Sequence, residues 1–96
     1  MQLTDYQFLQ QLSALPFIES IYLFGSRARG DARERSDIDL AINCPNATDQ
    51  QWLEVLAIVE QADTLLTIDC VRFDDEPVNS PLRMAIEQEK QVLYER

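Results

Sequence analysis

Two aspartates, Asp37 and Asp39, stand two residues apart in the run DIDLAIN, and ten residues separate Asp37 from the dipeptide Gly25–Ser26. If the run is a strand, both carboxylates point to one face at roughly 6–7 Å Cα spacing. Like charges so close destabilise the fold unless a cation lies between them. Hard divalent ions such as Mg²⁺ take carboxylate and phosphate oxygens in this way. The same pair also suits a solvated polar face on an edge strand.

Gly25–Ser26 follows an apolar run, IESIYLF. Glycine lets the backbone turn tightly and approach a ligand. Unpaired N–H groups after the turn, with the Ser26 hydroxyl, suit phosphate oxygens. A Gly-Ser after a strand is also an ordinary turn. A third acid, Asp69, interrupts LLTIDCVRF, where acids are rarely buried unless paired or metal-bound. If its strand lies beside that of Asp37 and Asp39, three carboxylates converge; otherwise Asp69 faces solvent. Four arginines, Arg27, Arg29, Arg33 and Arg35, are half of the eight basic residues and crowd into nine positions. Arg27 and Arg29 lie within reach of phosphates at the turn, while Arg33 and Arg35 read as a solvated loop or a partner contact.

The elements that must position these groups follow from periodicity. Thr4 with Gln7 fits a capping box, and Leu3 with Phe8 the flanking staple. Phe8, Leu9, Leu12 and Leu15 then recur at helical spacing until Pro16. Ile18–Phe24 predicts a strand and Ser26–Gly30 a short helix, followed by a polar loop over 31–36. Asp37–Asn43 alternates, with Ile38, Leu40 and Ile42 on one face and Asp37, Asp39, Ala41 and Asn43 on the other. Thr48 and Gln51 open a helix that ends near Asp63, with Trp52, Leu53, Leu56 and Val59 as its apolar positions. Leu65–Phe73 predicts a strand buried on both sides except at Asp69. Asp74 to Glu76 form an acidic turn, Ser80–Pro81 starts a helix to about Gln88, and Gln91–Glu95 suits an edge strand or a fraying tail. This α-β-α-β-α-β-α-(β) order, without repeats or linkers, implies one α+β or α/β layered domain over 1–96.

Bulk properties narrow the chemistry. A net charge of −9 disfavours nucleic acid and anionic membranes as partners. A chain of 96 residues buries only roughly 60–65% of its unfolded surface, which leaves little material for an acceptor-binding lobe. There is no histidine, which removes His general bases and His-based zinc sites. Cys44 and Cys70 have no metal-ligand spacing and read as packing residues. The N-terminal run has no signal-peptide pattern and no stretch reaches the ~20 apolar residues of a membrane span, so a cytoplasmic location is expected.

The segment GSRARGDARERSDIDLAI, including Gly30, Ser36 and Leu40, resembles the signature of the polymerase-beta-like nucleotidyltransferase superfamily. Length and strand order resemble its minimal nucleotidyltransferases, as found in HEPN/MNT toxin–antitoxin pairs. The resemblance implies a mixed sheet of three to five strands flanked by about four helices. It implies triphosphate binding by Gly25 and Ser26, with Arg27 or Arg29 on the leaving pyrophosphate. Asp37, Asp39 and Asp69 then hold catalytic Mg²⁺, two ions in all, with Asp69 helping to deprotonate the acceptor. The implied function is an antitoxin that transfers AMP from ATP to a tyrosine of a HEPN-type RNase toxin, as a homo- or hetero-oligomer. The alternatives are a non-catalytic antitoxin that acts by complex formation, or an enzyme that modifies a small molecule.

Overall fold

The computed structural model describes residues 5–96. Its elements are α1 (Gln7–Ser13), β1 (Ser20–Phe24), α2 (Ser26–Arg29), β2 (Ile38–Asn43), α3 (Asp49–Glu60), β3 (Ile68–Arg72), α4 (Pro81–Glu89) and β4 (Gln91–Glu95). A single 3-10 turn, Phe73–Asp75, occupies the acidic stretch after β3. The strands form one mixed sheet in the order β3-β2-β1-β4. β1 runs antiparallel to both β2 and β4, whereas β2 and β3 are parallel and joined through α3. Four helices and a four-stranded mixed sheet match the expected architecture, and Gln91–Glu95 is an edge strand.

Period-two alternation divides the core. Ile21 and Leu23 of β1 with Ile38, Leu40 and Ile42 of β2 face α1 and α3, and pack with Phe8, Leu9, Leu12 and Val55. Tyr22, Phe24 and Ala41 face the other way, against Phe73 and Ile86 of α4. Ile38, Leu40 and Ile42 are fully buried. The alternation expected for β2 therefore holds, with Ala41 in the second core rather than at a polar face.

Helix ends follow local chemistry where local chemistry suffices. Thr48 Oγ1 accepts from the Gln51 N–H at 3.1 Å, and Gln51 Oε1 accepts from the Thr48 N–H at 2.9 Å, completing the expected capping box. Ser80 Oγ accepts from the Arg83 N–H at 3.0 Å, with Pro81 in the first turn of α4. The capping box and staple expected at Thr4 and Leu3 lie outside the described residues. The Asp63 carboxylate accepts from the first N–H groups of α1, Gln7 at 3.1 Å and Phe8 at 3.2 Å. A residue just past α3 thus caps a helix 55 positions upstream.

Several boundaries and burials correct the periodic reading. β1 begins at Ser20 rather than Ile18, and α3 ends at Glu60 rather than near Asp63. Leu53 and Leu56 of α3 are exposed, while Val55 is its buried residue. The apolar residues of α3 cover more of the helix than the sheet does, so position against β2 and β3, not hydrophobicity, decides which are buried. β3 spans Ile68–Arg72 and is an edge strand, not one buried on both sides; Leu65 precedes it in full solvent contact. Cys44 is buried and Cys70 half-buried, and desolvation pushes their thiols up to about 11 and about 12. Both stay protonated at neutral pH, which fits packing roles. Among the described residues no helix is long and apolar enough to cross a membrane.

Candidate functional site

The sheet brings the expected carboxylates together. In the parallel β2–β3 pair, Asp39 lies directly opposite Asp69. Asp39 also faces Phe24, the last residue of β1, so the turn that follows β1 is delivered against it. Asp37 immediately precedes β2 and shares the strand parity of Asp39. All three belong to the sheet face that carries Ala41 and α4, beyond the end of the second core. Asp69 is solvent-exposed because β3 is an edge strand, so it is neither a buried charge nor remote from the pair.

The electrostatics bear the marks of crowding. The Asp39 carboxyl is held above its ordinary range, first by burial, then by the charges of Asp69 and Asp37 and a side-chain hydrogen bond with Asp69. Arg29 pulls in the opposite direction. Like charges are packed against one another here, as a cation-binding arrangement requires.

Gly25 cannot be replaced by another residue without disturbance. Its φ of 76° and ψ of −157° lie where only glycine is at ease, and a Cβ there would collide with the Asp39 carboxylate. The glycine therefore closes the gap between the turn and the carboxylates. Ser26 opens α2, whose Ala28 and Arg29 N–H groups bond to the Gly25 carbonyl at 3.1 and 3.0 Å. Gly30, with φ of 86°, ends the helix after one turn in the left-handed conformation.

The arginines divide by task. Arg27 donates to the carbonyl of Ser36 from Nε at 3.1 Å and from Nη2 at 2.7 Å, and to that of Glu34 at 3.2 Å. Its guanidinium thus shapes the loop that leads into Asp37. Arg29 lies beside the turn and pairs with Asp31 at 3.3 Å and Glu89 at 3.1 Å. Arg33 and Arg35 are exposed on the loop. Glu89 was not expected at the site: its Oε2 also accepts from the Gly25 N–H at 3.3 Å. Nothing in the run IEQEK marks it, because the contact spans 64 residues of chain.

Hard oxygen donors from Asp37, Asp39 and Asp69 suit a divalent cation. Among the described residues no three acidic or thiol side chains close tightly enough around one point to hold an ion as they stand. Two grooves of similar size lie away from the three aspartates. One of about 350 Å³ lies between α1, β1 and β4; the other, about 340 Å³, is lined by Arg35, Leu65, Leu66 and Thr67. The second opens at the entry to β2, where the Ile38 N–H bonds the Thr67 carbonyl at 2.9 Å.

Comparison with known proteins places this geometry. A protein of Methanocaldococcus jannaschii, MJ1379, provisionally named a protein adenylyltransferase, is 29% identical over 73 residues, 75% of this chain and 73% of that protein. A toxin–antitoxin crystal structure with AMP-PNP superposes with a TM-score of 0.62 at 20% identity, covering 94% of this chain and 69% of that one. A variant of the toxin–antitoxin pair MntA–HpeT gives 0.64 at 23% identity, covering 94% and 68%. A nucleotidyltransferase fold from Sulfolobus solfataricus gives 0.59 at 21% identity, covering 94% and 76%. At such identities the structural likeness speaks for the fold. The pattern described as Polymerase beta, Nucleotidyltransferase matches residues 7–96, from the first turn of α1 to the last residue of the chain. With the turn at Gly25, Asp37 and Asp39 at the start of β2 and nearly the whole chain inside that match, the protein belongs to the polymerase beta nucleotidyltransferase family.

Proposed function

We propose that this nucleotidyltransferase moves AMP from ATP to a tyrosine hydroxyl of a partner protein, a HEPN-type RNase toxin, and so acts as its antitoxin in the cytoplasm. The observation that carries the chemistry is the pairing of Asp39 with Asp69 directly beneath the Gly25 turn. The acceptor class is supported by the provisional naming of MJ1379 and by the toxin–antitoxin complexes among the structural neighbours, one of them with AMP-PNP.

In this reading Ser26 and the N–H groups after Gly25 bind the triphosphate, and Arg29 offsets charge on the departing pyrophosphate. Asp37, Asp39 and Asp69 hold Mg²⁺, which when bound neutralises charge on the phosphates and orients them. Asp69, exposed on the edge strand, accepts the proton of the acceptor hydroxyl. The hydroxyl oxygen then forms a bond to the α-phosphorus as the bond to the β-phosphate bridging oxygen breaks, releasing pyrophosphate. Arg27 contributes by fixing the loop ahead of Asp37 rather than by touching phosphate.

Incubation of the protein with Mg-ATP and its neighbour-encoded partner should add one or more AMP masses to the partner. The Asp37→Ala/Asp39→Ala variant should lose this labelling by more than about a hundredfold. Labelling that persists in the variant would remove the aspartates from the chemistry. An Asp37→Asn/Asp39→Asn protein that still protects cells would instead favour neutralisation by stoichiometric complex formation.

A further inference from the structure

Glu89 occupies an unusual place for an acid. Its carboxylate, three-quarters shielded at the end of α4, takes the Gly25 N–H at 3.3 Å and the Arg29 guanidinium at 3.1 Å through the same oxygen, Oε2. Backbone N–H and guanidinium donors converging on one oxygen are what a phosphate oxygen meets in a binding site. Asp39, already crowded by Asp69 and Asp37, packs against the same glycine.

The α4–β4 corner does not depend on this contact. Gln91 Nε2 donates to the Ala28 carbonyl at 2.9 Å, and Gln91 pairs with Leu23 in the sheet. The corner is therefore fastened to α2 and β1 by Gln91, which leaves the Glu89 carboxylate free to be displaced without unfolding its surroundings.

We infer that Glu89 is a built-in competitor for the nucleotide phosphates, a residue that sets triphosphate affinity by occupying the Gly25 N–H and Arg29 in the resting protein. This rests on the nucleotidyl-transfer reading of the site. Binding becomes an exchange of one anion for another. The incoming triphosphate takes over donors that Glu89 held, and the released carboxylate adds repulsion. Removing its charge while keeping its shape should therefore tighten nucleotide binding. A residue that ligates metal or merely orients Arg29 would give the opposite sign.

The test compares wild type, Glu89→Gln, Glu89→Ala and Glu87→Gln by titration calorimetry with Mg–AMP-PNP, and separately with inorganic pyrophosphate. Glu87 is an exposed acid on the same helix, paired with Arg83, and reports the effect of a one-unit charge change alone. Glu89→Gln should bind Mg–AMP-PNP about tenfold more tightly than wild type, as expected for loss of a charge-assisted competitor, and Glu89→Ala should shift in the same direction. Glu87→Gln should change affinity by less than about twofold. In turnover the gain should appear as a lower KM for ATP. Wild-type binding with no tightening in Glu89→Gln, or weaker binding, would overturn the role of Glu89 while leaving the nucleotide site intact. Equal tightening in Glu87→Gln would also overturn it, as a general charge effect. Failure of every protein to bind Mg–AMP-PNP would overturn this inference and the nucleotidyl-transfer reading together. Melting temperatures within a few degrees of wild type confirm that each variant is folded.

Discussion

The two faces of the central sheet are built from the same strands and treated in opposite ways. Toward α1 and α3, β1 and β2 present only aliphatic side chains, and Ile38, Leu40 and Ile42 have no solvent contact. Toward α4, the same strands carry Tyr22, Phe24 and Ala41 packed on Phe73 and Ile86, and beyond them Asp39 against the Gly25 turn. One residue along β2 separates a side chain that stabilises the fold from one whose charge opposes it. The contrast teaches how one sheet can carry both roles: one face supplies stability, and the crowded carboxylates at the end of the other subtract from it.

Breaking the aliphatic face should produce the largest effect on stability. Leu40→Ala opens a cavity in the fully buried layer and should cost about 2–5 kcal/mol, read as a lower midpoint in urea unfolding. The protein that remains folded should transfer nucleotide at close to the wild-type rate, because the mutated side chain points away from Asp39. A large fall in kcat at matched folded fraction would mean that the two faces are not separable.

Gly25→Ala attacks the boundary between turn and carboxylates. Backbone strain at its positive φ should cost about 1–3 kcal/mol, less than Leu40→Ala. Its activity loss should exceed that of Leu40→Ala at matched folded fraction, since the new Cβ meets the Asp39 carboxylate. Equal losses of stability and activity would show that the close approach has no part in the chemistry.

The smallest effect concerns an acid outside the site. The Asp63 carboxyl is held below its ordinary 3.8, chiefly by the Gln7 N–H, then by that of Phe8. A lowered folded-state pKa contributes stability that is present above pH 3.8 and is lost as pH falls through the lowered value. Asp63→Ala should therefore lower the melting temperature by a few degrees at neutral pH, and the gap should close as the pH falls below 3.8 and through the lowered value. A gap that stays constant on acidification would assign the loss to something other than the helix cap.

How much of this was legible in the sequence depends on the reach of each interaction. The alternation of DIDLAIN and the caps at Thr48 and Ser80 are local, and each element formed as its residues indicate. The register that sets Asp39 opposite Asp69 could be anticipated only as a condition, that the two strands be neighbours. The edge position of β3, the exposure of Leu53 and Leu56, and the Asp63 cap depend on which elements meet in space, and hydrophobic periodicity carries no record of that. Glu89 is the extreme case, since its partners lie 60 and 64 residues away. The Arg27 donors were expected at phosphates because of their proximity in sequence to Gly25–Ser26; in the fold Nε and Nη2 bond to the carbonyls of Glu34 and Ser36.

That grip on the loop has an evolutionary consequence. Arg27 holds the carbonyl oxygens of Glu34 and Ser36, and carbonyl oxygens are common to every amino acid. The conformation of residues 31–36 is therefore largely indifferent to which side chains stand at Arg33, Glu34 and Arg35. These positions can drift in size and charge, or be diversified in a library, while the approach to Asp37 keeps its shape. A frame held through its backbone leaves its side chains free to vary without being rebuilt.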